Sequence, residues 1–439
     1  MVQTHDIKNL YLDEIKRAEQ DRTGRDATWL ERLRHEAATR FEVQGFPTRR
    51  DEEWRFTSLT SLLDIPFTTA GFSPDTVIRA RLKPYLPDFA ANRLVFIDGR
   101  FLPDLSDVSA LGPRGIVESL HDALRDHADL VEPVLGRLAQ SDGQAFVALN
   151  TAFLEDGAFI HIGRGQIVEE PILVLYVSTE SGRPSASYPR TLVVAEAQSR
   201  LTLIESYVGL DDCVTFTNAV TEIAVGDNAA VDHYKLNQES LSAFHIATTQ
   251  IELARGANFA SHSFTLGSSL TRNDFNAGLR GEGIECTLNG LYLGRHRQLI
   301  DNHTAIDHAM PHCASHELYK GILDDRARGV FNGKIFVRQD AQKTDAKQTN
   351  QTLLLSNEAQ IDTKPQLEIF ADDVRCTHGA TIGQLSAEAL FYLRSRGIGR
   401  AEARAMLTYA FARDVVNRVK LEPLRLELEQ SLFRLLSGA

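Results

Sequence analysis

Four cysteines in 439 residues, Cys213, Cys286, Cys313 and Cys376, are too few and too widely spaced to frame a disulfide scaffold, and no CxxC pair occurs. They read as reduced thiols of a protein of the cytosol or an organelle stroma. No run of about 18 apolar residues exists, so no membrane-spanning helix is expected. The N-terminal MVQTHDIKNLYLDEIKRAEQ mixes both charge signs without an apolar stretch, which is not the pattern of a secretory signal. Net positive charge is missing too. A formal balance of −12 argues against nucleic acid or an anionic membrane as the main partner, because phosphates need a basic footprint.

Nucleotide and hydrolase motifs are also absent. GVFNGKI (329–335) resembles a phosphate loop, but only three residues separate Gly329 from Gly333, and Ile335 stands where a Ser or Thr would hold magnesium. GIGRAE (397–402) lacks the third glycine of a dinucleotide fingerprint and follows a helical stretch. There is no GxSxG and no HExxH. The chain is expected to bind and hydrolyse no nucleotide by itself.

What is present divides into three textures. Residues 1–150 are mainly helical. Ile7, Leu10, Ile15 and Ala18 recur at helical spacing, and a second helix follows through Leu30, Leu33, Ala37 and Phe41. Thr28 with Glu31 fits a capping box, and Gly45 a stop. GFPTRRDEEWRF (45–56) should dock Trp54 and Phe56 on that helical pair. LVFIDGRF (94–101) carries the Asp98-Gly99 signal of a hairpin, and residues 116–139 return to helical spacing. From about Ala158 to Leu385 short Val/Ile/Thr/Phe-rich runs alternate with small turn groups such as GDNAAV, ARGANF and GEGIEC. Their intervals of mostly 20 to 30 residues suit coils of a parallel β-helix, with a β-sandwich as the alternative. SGRPSAS (181–187) reads as an exposed loop. Residues 386–439 are helical again, broken at Gly397–Gly399.

One stretch, LEIFADDVRCTHGATIGQL (367–385), carries the clearest chemistry. On a strand, Val374, Cys376 and His378 share a face, with roughly 7 Å between the last two. A thiolate beside an imidazole suits iron, iron–sulfur species, zinc or copper(I), though two ligands leave a metal incomplete. Gly379-Ala380 is expected to turn the chain. A second cluster, His303, His308, His312 and His316 with Cys313, either binds metal or packs on a coil surface. Pro311 interrupts it, so spacing alone does not align the side chains. Cys213 and Cys286 read as small core residues. The polar tract AQKTDAKQTNQTLLLS (341–356) reads as ladders at coil corners.

The run from Glu317 to Ile398, with GVFNGKIFVRQDAQKTDAKQTNQT and CTHGAT within it, resembles the signature region of the SufB/SufD family of iron–sulfur cluster assembly proteins. GFPTRRDEEWRF resembles an N-terminal segment of the same family, and CTHGAT is similar to its SufD branch. SufB-type members would carry an acidic residue where Gly379 stands. The resemblance implies a mainly β protein: a right-handed parallel β-helix, here 151–385, between helical domains at 1–150 and 386–439. It implies pairing with a SufB-like homologous subunit through the β-helices, or a homodimer in isolation. It also implies contact of the C-terminal helices with a SufC-like ABC-type ATPase. It makes His378, with Cys376 beside it, a ligand to a transient iron–sulfur cluster or iron at the subunit interface. The chain itself would be a non-catalytic, cytoplasmic (or, in a plant, stromal) scaffold. The rivals are a β-helix carbohydrate lyase or hydrolase, and a helix-turn-helix DNA binder built on RSRGIGRAEAR (394–404). The missing secretory signal weighs against the first and the −12 charge against the second.

Overall fold

Parallel pairing dominates the chain from Gly157 onward. In the computed structural model, which describes residues 4–22, 26–70, 76–179 and 182–437, successive strands alternate between two sheets of eleven and ten strands. From Arg190–Ala195 onward each strand pairs with the one two places on, so the chain winds as a solenoid. The offset between paired residues runs from 26 (Phe244 to Leu270) to 33 (Gly157 to Arg190). The β-helix is therefore the architecture, and the sandwich alternative falls.

The coils stack because like residues repeat at one register position. Val193, Ile223, Ile251, Ala277, Ile306 and Ile335 pair in unbroken succession and are buried in the interior. Neighbouring strands lie about 4.8 Å apart, so each such rung removes apolar surface from water against the rungs on both sides. The turn groups fall at the corners. Gln198, Asn228 and Gly256 have φ of 62°, 55° and 66°, and each donates its N–H to a carbonyl of the next coil. A left-handed residue turns the chain there, which suits glycine and asparagine.

The two ends are built differently. At the N-terminal end, Gly115–Ser119 pairs antiparallel with Gly157–Ile162, and the hairpin Asn92–Ile97/Arg100–Phe101 closes the second sheet. Asp98 and Gly99 turn that hairpin with φ of 50° and 82°, as the Asp-Gly signal predicts. The helices of the first 150 residues cover the outer face of the first sheet, with Phe146 and Leu149 packed among Phe216, Phe244 and Leu270. At the other end, helices Arg400–Val416 and Glu422–Ser437 lie on the outer face of the second sheet, where Val415, Val419 and Leu428 meet Tyr234, Phe264 and Leu291. Lys320 anchors them, its ammonium 2.5 Å from Asp414 and 3.1 Å from the Phe411 carbonyl.

Several local expectations change. Residues 116–139 open with a strand, because β-branched Ile116 and Val117 find a partner strand. Helix begins only at Leu120, where Ser119 accepts the Asp122 N–H (3.1 Å). Thr28 is no cap: it is the first helical residue, and Ala27 precedes it without a side-chain bond. Gly45 does end that helix, at φ 64° with its N–H on the Phe41 carbonyl. Trp54 leaves the helical pair to Phe46 and stacks instead between Phe146 (5.3 Å) and the Arg272 guanidinium (4.0 Å). Segment 45–57 thus straps the sheet, with Thr57 on Asp301 (2.5 Å), Glu53 on Lys334, and Glu52 on Lys364 (2.6 Å). Within SGRPSAS, Ser181 lies outside the described residues, and Ser185–Ser187 is a strand rather than loop, pairing with Thr215–Thr217. Among the described residues no helix is long and apolar enough to cross a membrane.

Candidate functional site

Cys376 and His378 lie on Arg375–Gly383, the last strand of the second sheet. Register shows which way they face. Cys376 continues the interior column Leu201, Val231, Phe259, Cys286, Ser315, Ala346, and His378 continues Leu203, His233, Ser261, Leu288, Glu317, Gln348. Every earlier member of both columns is buried; Cys376 is half-buried and His378 exposed. The thiol and the imidazole are thus at interior positions on a coil that none of the described residues covers.

Gly379-Ala380 does not turn the chain. Both residues stay in the ladder, opposite Thr349 and Asn350, and the strand runs on to Gly383. The parallel neighbour satisfies their backbone groups, which outweighs the weak strand preference of glycine. Helix Ala387–Ser395 then starts three residues later, its first turn capped by Ser386 on the Ala389 N–H (3.1 Å).

The coil's outer edge is open on both sheets. The Arg375 N–H points back to the Thr344 carbonyl, so alternation aims the N–H groups of Cys376, His378, Ala380 and Ile382 outward. On the first sheet Phe370 donates back to Val337, which leaves the odd positions of Gln360–Ile369 facing out, and Pro365 removes one donor there. Apolar side chains share this end: Ile369, Phe370 and Ile382 are 40%, 64% and 51% exposed. Long, partly apolar edges with free outward N–H groups are a template for strand pairing with another chain.

The environment of Cys376 is apolar, among Ile335, Val337, Ala346 and Leu367. Burial pushes its thiol above the ordinary range, and the Asp345 carboxylate adds to this. The thiol is therefore protonated at neutral pH until a metal or a cation displaces the proton. Of the charges around the pair, Asp373 is held by Lys343 at the preceding corner. No group of three or more His, Cys, Asp or Glu among the described residues could hold a metal by itself.

The histidine-rich segment disperses. His303 sits on the outer face of the first sheet between Asp301 (3.0 Å) and Glu53 (3.4 Å). His308 is interior, bonded to Ser315 (2.9 Å), and burial lowers it to about 4. His312 is a left-handed corner residue (φ 59°), and His316 points out from the second sheet. Cys313 is buried with its thiol on the Gly281 carbonyl (3.2 Å). The corner at Pro311–Cys313 sends the flanking strands to different sheets, so no metal cluster forms. Cys213 and Cys286 are buried as expected.

The polar tract is only partly a corner. Gln342, Lys343 and Thr344 turn the chain, but Gln348, Asn350 and Thr352 are interior. Sequence reading missed these, and also the exposed Ile369, Phe370 and Ile382. Counting back from His378 in coils of about 30 residues would have found Gln348 after one coil and Glu317 after two.

A helix-flanked parallel β-solenoid, sealed at one end and open at the other with a cysteine and a histidine on the open coil, is the class of fold this chain defines. The chain belongs to the SufB/SufD family. Residues 5–174 match the SufBD protein N-terminal region, and residues 176–411 match the SufBD core domain of the SUF system for FeS cluster assembly. An iron–sulfur cluster assembly SufBD family protein of Synechocystis is 36% identical over 93% of this chain and 91% of its own length. The iron–sulfur cluster assembly protein SufD of Escherichia coli is 35% identical over 90% of each chain. A chloroplastic protein of Arabidopsis thaliana, ABCI7, is 30% identical over 89% of this chain and 82% of its own.

Proposed function

We propose that this SufB/SufD family protein is a non-catalytic scaffold subunit that pairs through its open coil with a SufB-like homologue and contributes His378 and Cys376 to a nascent iron–sulfur cluster or iron at the seam. The observation that carries this reading is the exposure of two interior soft ligands on an unpaired edge. A single chain offers too few ligands, and a partner edge brings the rest. A neutral ring nitrogen of His378 is the metal ligand, and Cys376 is a thiolate ligand or sulfur acceptor.

A SufC-like ATPase would dock on the C-terminal helices. Helix Ala387–Ser395 supports this: it buries no residue and exposes Phe391 (73%) and Tyr392 (57%). It follows the strand of Cys376 and His378 after three residues, so force on the helix reaches the ligand strand directly. Location in the cytoplasm or a plastid stroma belongs to the same reading.

The test is anaerobic assembly of the chain with SufB-like and SufC-like partners, comparing wild type, His378→Ala and Cys376→Ala by complex mass and visible absorption. An intact complex with a weakened chromophore in His378→Ala supports the ligand role. An unchanged chromophore in both variants makes the Cys–His face structural.

A further inference from the structure

Behind His378, along its own column, stand two buried polar side chains that the ligand reading leaves unused. Gln348 is the next residue in and Glu317 the one beyond, each paired in register and each facing the interior. Their exposures are 1% and 3%. Gln348 Nε2 donates to Glu317 Oε2 at 2.8 Å, with no charged partner for Glu317. That bond fixes the amide: its nitrogen points inward and its oxygen away from Glu317.

The amide oxygen is then conspicuous. Gln348 Oε1 is buried and accepts nothing among the described residues, and an unmet buried acceptor is destabilising unless something comes to meet it. Across the core stands Gly333, where a Cβ would lie 2.2 Å from Gln348 Nε2. The missing side chain gives the amide its place and offers the oxygen no donor from that wall. On the next rung, the side chain in register with Gln348 is the imidazole of His378. Adjacent same-face side chains on paired strands sit about 5 Å apart at their origins, within reach of an amide and a ring.

We propose that Gln348 is a positioning residue for His378, its amide oxygen accepting one ring N–H and leaving the other ring nitrogen bare toward the open coil, with Glu317 holding the amide in that sense. A ring nitrogen that is to bind metal must be unprotonated, and the hydrogen bond made by the other nitrogen selects that tautomer. The contact closes when a partner covers the open coil and fixes the imidazole. The proposal rests on the reading of His378 as a ligand only for its consequence, not for the hydrogen bond itself.

The experiment uses the partner-bound complex with 15N-histidine in this chain, the His378 ring signals being assigned by their loss in His378→Ala. Gln348→Met removes the acceptor at nearly constant volume, and Gln348→Glu keeps one. The expected result is one dominant His378 tautomer in wild type and in Gln348→Glu, and a redistributed population in Gln348→Met. Cluster retention after anaerobic reconstitution with iron and sulfide should fall about 10-fold in Gln348→Met at unchanged complex mass, and recover in Gln348→Glu. Should Gln348→Met fail to fold, Glu317→Leu with Gln348→Met removes both polar partners together and asks the same question. An unchanged tautomer in the Met variant overturns the proposal, whatever the cluster does. A shifted tautomer with a chromophore indifferent to His378→Ala supports the hydrogen bond and overturns the ligand reading instead.

Discussion

The first and last coils of this solenoid have the same kind of backbone and opposite finishes. At the first, an antiparallel strand and a hairpin satisfy the edge, and a buried ion pair ties the helical domain down. Arg190 bonds Glu222 at 2.5 Å, both side chains fully buried, and Glu222 accepts the N–H groups of Gly136, Leu138 and Ala139 within 3.0 Å. At the last, interior positions meet solvent and N–H groups point into space. The difference is between an edge the chain closes itself and one whose backbone groups stay free for a partner of the kind proposed above. Evolution closes such edges elsewhere with bulges, prolines or charge.

That contrast can be broken from the closed end first. Arg190→Ala leaves the Glu222 carboxylate buried without its cation, and chemical denaturation should report a loss of about 3 to 5 kcal/mol. A loss under about 1 kcal/mol would mean that the N-terminal cap is not what seals the solenoid.

The interior carboxylates sharpen the same contrast. Glu205, toward the closed end, is held below its ordinary range despite the opposing effect of burial, because His233 bonds it at 2.9 Å. Its contribution is present above the unfolded carboxylate pKa and is lost on acidification. Glu317, two rungs in from the edge strand and with no cation beside it, is raised by burial from 4.5 to about 7. A raised acid works the other way: between those values the unfolded chain has released a proton that the folded chain keeps. Stability therefore falls as pH rises through that window, by roughly 3 kcal/mol in all. Glu317→Gln should remove this slope between pH 5 and 8 in denaturation measured across pH, and an unaltered slope would contradict the assignment.

At the open edge, Ala380→Pro deletes an outward N–H without touching the bonds that run back into the sheet. Binding to a SufB-like partner should weaken roughly 100-fold, about 2.8 kcal/mol, by titration calorimetry. Equal affinity would show that the edge does not pair. The smallest effect is expected at the exposed helix Ala387–Ser395, where Phe391→Ala should change the stability of the isolated chain by less than about 0.5 kcal/mol. A larger change would show that the helix is packed rather than waiting for a partner.

Much of this was legible in the sequence, and the exceptions follow a rule. Patterns local to one strand or turn were readable: the Asp98-Gly99 hairpin, the corner glycines, the helical C-terminal segment and the shared face of Cys376 and His378. What depended on a partner far along the chain was not. Gly379 looks like a turn until Thr349 is seen opposite it, Val117 looks helical until its strand partner Ile160 appears, and Trp54 finds Arg272, more than 200 residues away. The histidines of 303–316 are close in sequence and face different ways, because a solenoid corner sends the two sides of a turn to different sheets. The open edge itself was hidden for the same reason, since only the register shows that no strand among the described residues pairs beyond Arg375–Gly383.

On the proposed function, the last coil would present His378 and Cys376 to a cluster shared with a partner. The most direct measurement of this is the visible chromophore of the anaerobically reconstituted three-subunit complex, wild type against His378→Ala, at equal complex mass. The account predicts assembly of both and loss of most of the chromophore in the variant. Equal chromophores in equal complexes would contradict it.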